Sequence, residues 1–188
     1  MGLALVWTAG LAGAVHAGFS LYWALGGRWL LATVGQWAVD LSTDRPLAAG
    51  ITLGLVAAVK LLGATIPVGV AYGRVPWPWL WRGISWAGGL LLVAYGGINT
   101  IVALAVLAGV IRPEGGYDAD AMRGHAYLWD PLFFLWGGAL LLSLWLSRQT
   151  LRAVRYRNDD RDSLSDRRPA YGTALLRSRI YDRRDLDV

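Results

Sequence analysis

Cysteine is absent from the 188 residues, which excludes disulfides, thiolate catalysis and cysteine-ligated metals. Histidine occurs only twice, at His16 and His125. Joined to Asp130 they make a weak mixed ligand set, and no metal is expected. The HExxH and GxSxG signatures, the P-loop and the glycine-rich dinucleotide fingerprint are all missing, and no cofactor is implied. Charge is scarce as well: 16% of residues are charged against 55% hydrophobic. With 11 Trp and a mean hydropathy of +0.40, that balance is foreign to a soluble globule and reads as a polytopic membrane protein.

Apolar runs of 18 or more residues read as transmembrane helices. Four occur, at about Leu3–Leu25, Leu47–Gly73, Ile84–Ile111 and Leu128–Ser147. The first has no basic flank and no convincing cleavage site, and it exceeds a signal-peptide core, so it is taken as a span. The expected fold is all-α, a four-transmembrane-helix bundle over residues 1–147 with a charged tail over 148–188. Gly10, Ala14 and Gly18 form a small-residue ridge suited to close helix packing on the first span.

Charge sets the expected topology. The segments 26–46 and 112–127, with Asp130, hold four Arg against six acids. The turn 74–83 has Arg74 and Arg82 and no acid, and the tail has 11 Arg against seven acids. The positive-inside rule then places both termini in the cytoplasm and the two longer loops outside, in a cytoplasmic membrane. The first outer loop carries Leu30, Val34, Trp37, Ala38 and Leu41 at helical spacing, which predicts either a short interfacial helix or a loop with interfacial tryptophans. In the inner turn Pro76 and Pro78 stop helices, and Trp77, Trp79 and Trp81 suit the headgroup layer. The tail repeats DRR at 166–168 and 182–184 and reads as a disordered or partly helical segment. Arg148, Arg152, Arg155 and Arg157 would lie along anionic headgroups. Topology accounts for the basic excess, and no nucleic-acid partner is expected.

Lys60 stands at the centre of the second span, where a charge costs roughly 2.5–3.5 kcal/mol on insertion scales. At about 1.5 Å per residue, His16 and Asn99 fall in nearly the same layer, with Tyr95 one turn from Asn99. All three polar groups should face the bundle interior. Phe19, Ser20 and Trp23 share the face of His16; Thr52, Val56, Ala64 and Pro67 share that of Lys60. No carboxylate lies at this depth. Lys60 can therefore be uncharged, stretch toward Asp130 or Asp40, await an anionic or carbonyl-bearing ligand, or simply bind backbone carbonyls or Asn99.

The stretch GHAYLWDP, residues 124–131, holds a second polar group. Asp130 precedes Pro131 and can cap a helix beginning there. It can equally serve as a proton donor at the rim of a cavity, with His125 beside it.

The segments SLYWALGGRW, residues 20–29, and LWDPLFFLWGG, residues 128–138, resemble the signature segments of a family of small bacterial four-helix membrane proteins of unknown function. The resemblance covers residues 1–147. It implies the four-helix architecture and a pairing of the first helix end with the fourth helix start. It implies no settled activity. In that family a histidine usually stands at the position of Ser20; here the nearest is His16, one turn earlier.

Two functions compete at this point. One is an intramembrane enzyme on a lipid- or isoprenoid-like substrate, such as a protonation-initiated cyclase or an isomerase. Asp130 would be the proton donor and Asp40 the second choice, with Lys60 and His16 in the reacting centre. Asn99, Tyr95, Trp23, Trp129, Phe133 and His125 would line the substrate, and the aromatic faces (Trp7 and Trp136 included) would stabilise cations. The other is a non-enzymatic accessory subunit with a membrane-protein partner. A homo-oligomeric carrier ranks last, because no acidic ring lies within the membrane.

Overall fold

A computed structural model describes residues 2–166, with side chains for residues 2–148. The readings made for Arg152, Arg155, Arg157 and the DRR repeats lie outside the described side chains. The chain divides into two units after Ser147, and the site below belongs entirely to the first.

Helix α1 spans Gly2–Ala24 and α3 spans Pro46–Ala71; α4 spans Pro78–Leu107. Between the first two lie a single 3-10 turn, Leu31–Thr33, and the short helix α2, Gln36–Asp44. After α4 come α5, Ala119–Gly124, a π-helical turn, His125–Trp129, and α6, Asp130–Asp166. Four stretches are long and apolar enough to cross a membrane: α1, α3, α4 and the continuous run Ala119–Arg148. The protein is a multi-pass membrane protein. Lipid offers no partner for backbone N–H and C=O groups, so helices that satisfy their own are the expected solution for such apolar segments. Pro46 and Pro78 sit in the first turns of α3 and α4, where a missing N–H costs nothing.

The fourth span departs from the sequence expectation. It starts at Ala119, not near Leu128, and its cap is Asp118. The Asp118 carboxylate accepts from the backbone N–H groups of Asp120 at 3.0 Å and Ala121 at 3.1 Å. Asp130 therefore caps nothing; it lies inside a continuous helical run. Pro131 is tolerated there because the preceding turn is wider than an α-turn. The proline ring crowds the carbonyl four residues back, that of Tyr127, and the π-helical turn absorbs the misfit.

Glycines set the helix contacts. A Cβ on Gly13 of α1 would lie 2.6 Å from the Trp136 ring and 2.8 Å from Ala64. A Cβ on Gly96 of α4 would lie 2.6 Å from the Phe134 nitrogen, and one on Gly137 of α6 would lie 2.7 Å from the Gly89 carbonyl oxygen. The packed ridge of α1 thus runs through Ala9, Ala12, Gly13, His16, Ala17 and Ser20. Of the expected ridge only Gly10 makes close contact, at Val68; Ala14 is exposed and Gly18 meets nothing. The face of α3 is corrected by one residue in its first half. Leu53 and Ala57 are buried while Thr52 and Val56 are exposed; Ala64 and Pro67 are buried as expected.

Two apolar clusters result. One gathers Ala9, Ala12, Ala64, Trp136, Ala139, Leu140 and Leu144. The other, toward the end bearing residues 25–45, gathers Trp23, Leu31, Ala38, Leu53 and Trp129. At the opposite end Arg82 ties α4 to α6, donating to the Leu144 carbonyl at 3.3 Å and the Ser147 hydroxyl at 2.9 Å. Trp77 and Trp79 of the connecting turn are exposed.

Gly96→Ala is expected to lower stability by about 2 kcal/mol, because its methyl would meet backbone that cannot move aside. Gly88→Ala, whose methyl meets nothing within 4 Å, should be neutral. Thermal unfolding of both variants in the same detergent checks the contrast.

Candidate functional site

The polar layer lies between the two clusters and is built from α1, α3 and the fourth span, with Tyr95 of α4 at its aromatic edge. On α1, His16 and Ser20 stand one turn apart, below the apolar Ala9–Ala12 segment's far end and above Trp23 in chain order. The antiparallel α3 presents Lys60 between Leu53 and Ala64. On the fourth span Phe133 follows Trp129 and precedes Trp136 by three residues.

Lys60 Nζ lies 3.2 Å from His16 Nδ1 and 3.0 Å from Ser20 Oγ. The Ser20 hydroxyl donates to the His16 carbonyl at 3.2 Å, which is the back-bond that serine makes along its own helix. His16 Nε2 donates to the Trp129 carbonyl at 3.1 Å. A carbonyl only accepts, so Nε2 carries the imidazole proton and Nδ1 is left as the acceptor facing Lys60. His16 and Ser20 are both buried, and Lys60 is partly open.

An aromatic stack backs this group. His16 stacks on Phe133 with ring centroids 3.8 Å apart, and Phe133 lies parallel to Trp136 at 6.3 Å. Tyr95 of α4 meets Phe133 edge-on at 5.7 Å. Lys60 Nζ is 5.3 Å from the Phe133 ring centre, a cation–π distance. Among the described residues no carboxylate forms an ion pair with Lys60.

The expected partners of Lys60 (Asn99, Asp130 and Asp40) are thus replaced by two residues of α1, His16 and Ser20, the second of which had been placed only on the face of the first. Asn99 lies in the same span as Tyr95 but donates to the Tyr95 carbonyl at 3.0 Å, a bond within α4, and no bond joins it to Lys60. Asp40 is exposed on α2 and accepts from Gln36 at 2.9 Å, away from the group. The signal for Ser20 was its spacing: four residues after His16, it must share that face.

Asp130 belongs to a separate pair. It is 1% exposed, and its carboxylate lies 2.9 Å from His125 Nδ1. His125 also hydrogen-bonds the backbone of Val34, so it joins the loop after the 3-10 turn to the fourth span. Trp129 Nε1 donates to Thr33 Oγ1 at 3.0 Å and Trp23 Nε1 to the Trp29 carbonyl at 2.9 Å. Phe19, Trp23, Trp29 and Trp129 pack tilted or edge-on beneath that loop. Leu30 holds a left-handed backbone there, with φ of 60°, costly for a branched side chain and kept by the Thr33 hydroxyl's 2.6 Å bond to its carbonyl. The loop closes one end of the site. Trp7, by contrast, is exposed and bonds the Tyr72 hydroxyl at 3.0 Å near the other end.

Asp130→Leu is expected to cost about 2 kcal/mol, since it strands His125 against a polar backbone without its carboxylate. Asp130→Asn keeps an acceptor and should cost less than half of that. Loss of stability measured by thermal unfolding orders the two variants.

No curated protein and no solved structure matches the chain. A family model does, over residues 13–140, a stretch that holds every residue of the Lys60 group and of the Asp130 pair. By that match the chain belongs to the family described as protein of unknown function DUF3995.

Proposed function

We propose that the bundle binds a lipid- or isoprenoid-like molecule within the membrane, with its polar end at Lys60 and its apolar body along Phe133 and Tyr95. One observation carries the reading. Lys60 sits mid-span with a neutral imidazole and a hydroxyl as partners, and no carboxylate answers it among the described residues. An ionisable amine buried mid-span with no counter-charge is costly, and such groups in spans mark ligand paths by default. Tyr95, on the edge of the same ring system, is 50% exposed, which leaves the group open sideways toward the bilayer.

Asp130 contributes from behind. Its carboxyl is enclosed and held by His125, so it steadies Trp129 and the loop contact instead of meeting the ligand directly. A cyclase or isomerase with Asp130 as acid would have to pass its proton through His125. Asp40 would act only after the loop had moved.

A second reading, an accessory subunit, draws on α3 and α4. Both leave most of their apolar surface uncovered, as a helix docked on a partner or facing lipid would. The carrier reading has no comparable support.

Lys60→Met separates the readings. With a ligand site, native mass spectrometry of gently extracted wild-type protein shows a bound small molecule of defined mass, and Lys60→Met loses it without unfolding. If wild type carries no small molecule and Lys60→Met is as stable or more so, the ligand site is wrong and Lys60 is packing.

A further inference from the structure

Lys60 is the only lysine in the chain; the other 17 of the 18 Lys and Arg residues are arginine. Arginine stays charged and grips carboxylates and phosphates in a two-pronged manner. A site built only to clamp an anion would be served by the residue this chain uses everywhere else. What lysine offers instead is an amine that can lose its proton and act as a nucleophile.

The hydrogen bonds around Nζ suit that state. The Ser20 proton is committed to the His16 carbonyl and the His16 Nε2 proton to the Trp129 carbonyl. Both Ser20 Oγ and His16 Nδ1 are therefore acceptors toward Lys60. A neutral amine has two N–H groups, and these two acceptors use both, leaving the nitrogen lone pair unengaged. An ammonium would carry a third N–H for which the described residues supply only the Phe133 face, 5.3 Å away.

We propose that Lys60 captures an apolar long-chain aldehyde as an imine. This rests on the ligand reading above and names the class of its ligand. The Nζ lone pair attacks the carbonyl carbon. His16 Nδ1, 3.2 Å from the nitrogen, takes an amine proton and returns it to the carbonyl oxygen, giving a carbinolamine. The second amine hydrogen follows by the same route, the C–O bond breaks, and the oxygen leaves as water. The product is a C=N bond between Lys60 and the former aldehyde carbon, with no oxidation or reduction. The aldehyde's chain would lie along Phe133 and the half-exposed edge of Tyr95, reached sideways from the bilayer. His16 is held for this role from two sides, by the Trp129 carbonyl and by its stack on Phe133.

The test uses the full chain in lipid nanodiscs, with hexadecanal as the probe and cyanoborohydride to trap the imine. Peptide mass spectrometry then compares hexadecyl addition at Lys60 and at the α-amine of Met1. The expected result is addition at Lys60 at least tenfold faster than at Met1, absent in Lys60→Arg. His16→Gln should slow it about 100-fold, the scale of a lost proton-transfer group. Ser20→Ala, which leaves the imidazole in place, should slow it less than tenfold. Addition at Lys60 no faster than at Met1 overturns the proposal, and that wild-type comparison stands even if a variant fails to fold. If a lipid co-purifies and depends on Lys60, yet hexadecanal does not add, the binding site survives and imine chemistry does not.

Discussion

A polar side chain in the middle of an apolar span has to be answered by other polar groups, because neither lipid nor packed hydrocarbon will do it. In this bundle that demand falls on Lys60, and the answer is assembled from three groups on two spans. His16 and Ser20 come from one face of α1, one turn apart. The Trp129 carbonyl comes from the fourth span, where it orients the imidazole so that its free nitrogen points at the amine. The wider helical turn of residues 125–129 accommodates Pro131 just beside that carbonyl. Helix irregularity, histidine tautomer and lysine partner are thus one connected arrangement, and a change in any of them reaches the others.

Close packing makes the arrangement possible. Gly13 lets the Trp136 ring lie against α1, and Trp136 in turn backs Phe133, which stacks on His16. Gly96 and Gly137 bring α4 and α6 to backbone contact, a mode of association suited to a medium that supplies no hydrophobic drive between helices. The loop carrying Thr33 and Val34 closes one end through Trp129 and His125. Beside the closed imidazole, Lys60 is partly open and Tyr95, at the edge of the Phe133 ring, is exposed. The imidazole is therefore buried, while the amine is partly open.

Parts of this were legible beforehand. Composition and run length sufficed for four spans, and counting residues put His16 and Lys60 at one depth. Spacing put Ser20 on the face of His16. Other parts were not. Thr52 and Val56 looked inward-facing because α3 is apolar nearly all round, so no periodicity marks its buried side. Asn99 looked like a partner for Lys60 because depth matched, yet its amide turns back to its own helix. Asp130 looked like a cap because a proline followed it, and the π-helical turn that lets the helix run on past Pro131 has no local sequence signature.

By itself the amino-acid sequence determined the solvent of this protein, the number of its spans and the depth of its polar residues. Those follow from hydrophobic length and from a fixed rise per residue, both properties of single segments. Which polar groups touch, which nitrogen of His16 carries a proton, and that Asp130 serves His125 and not Lys60 were decided only by the tertiary structure. They depend on the rotation of each helix about its own axis, and in uniformly apolar helices that rotation is set by glycine contacts and ring packing between segments far apart in the chain.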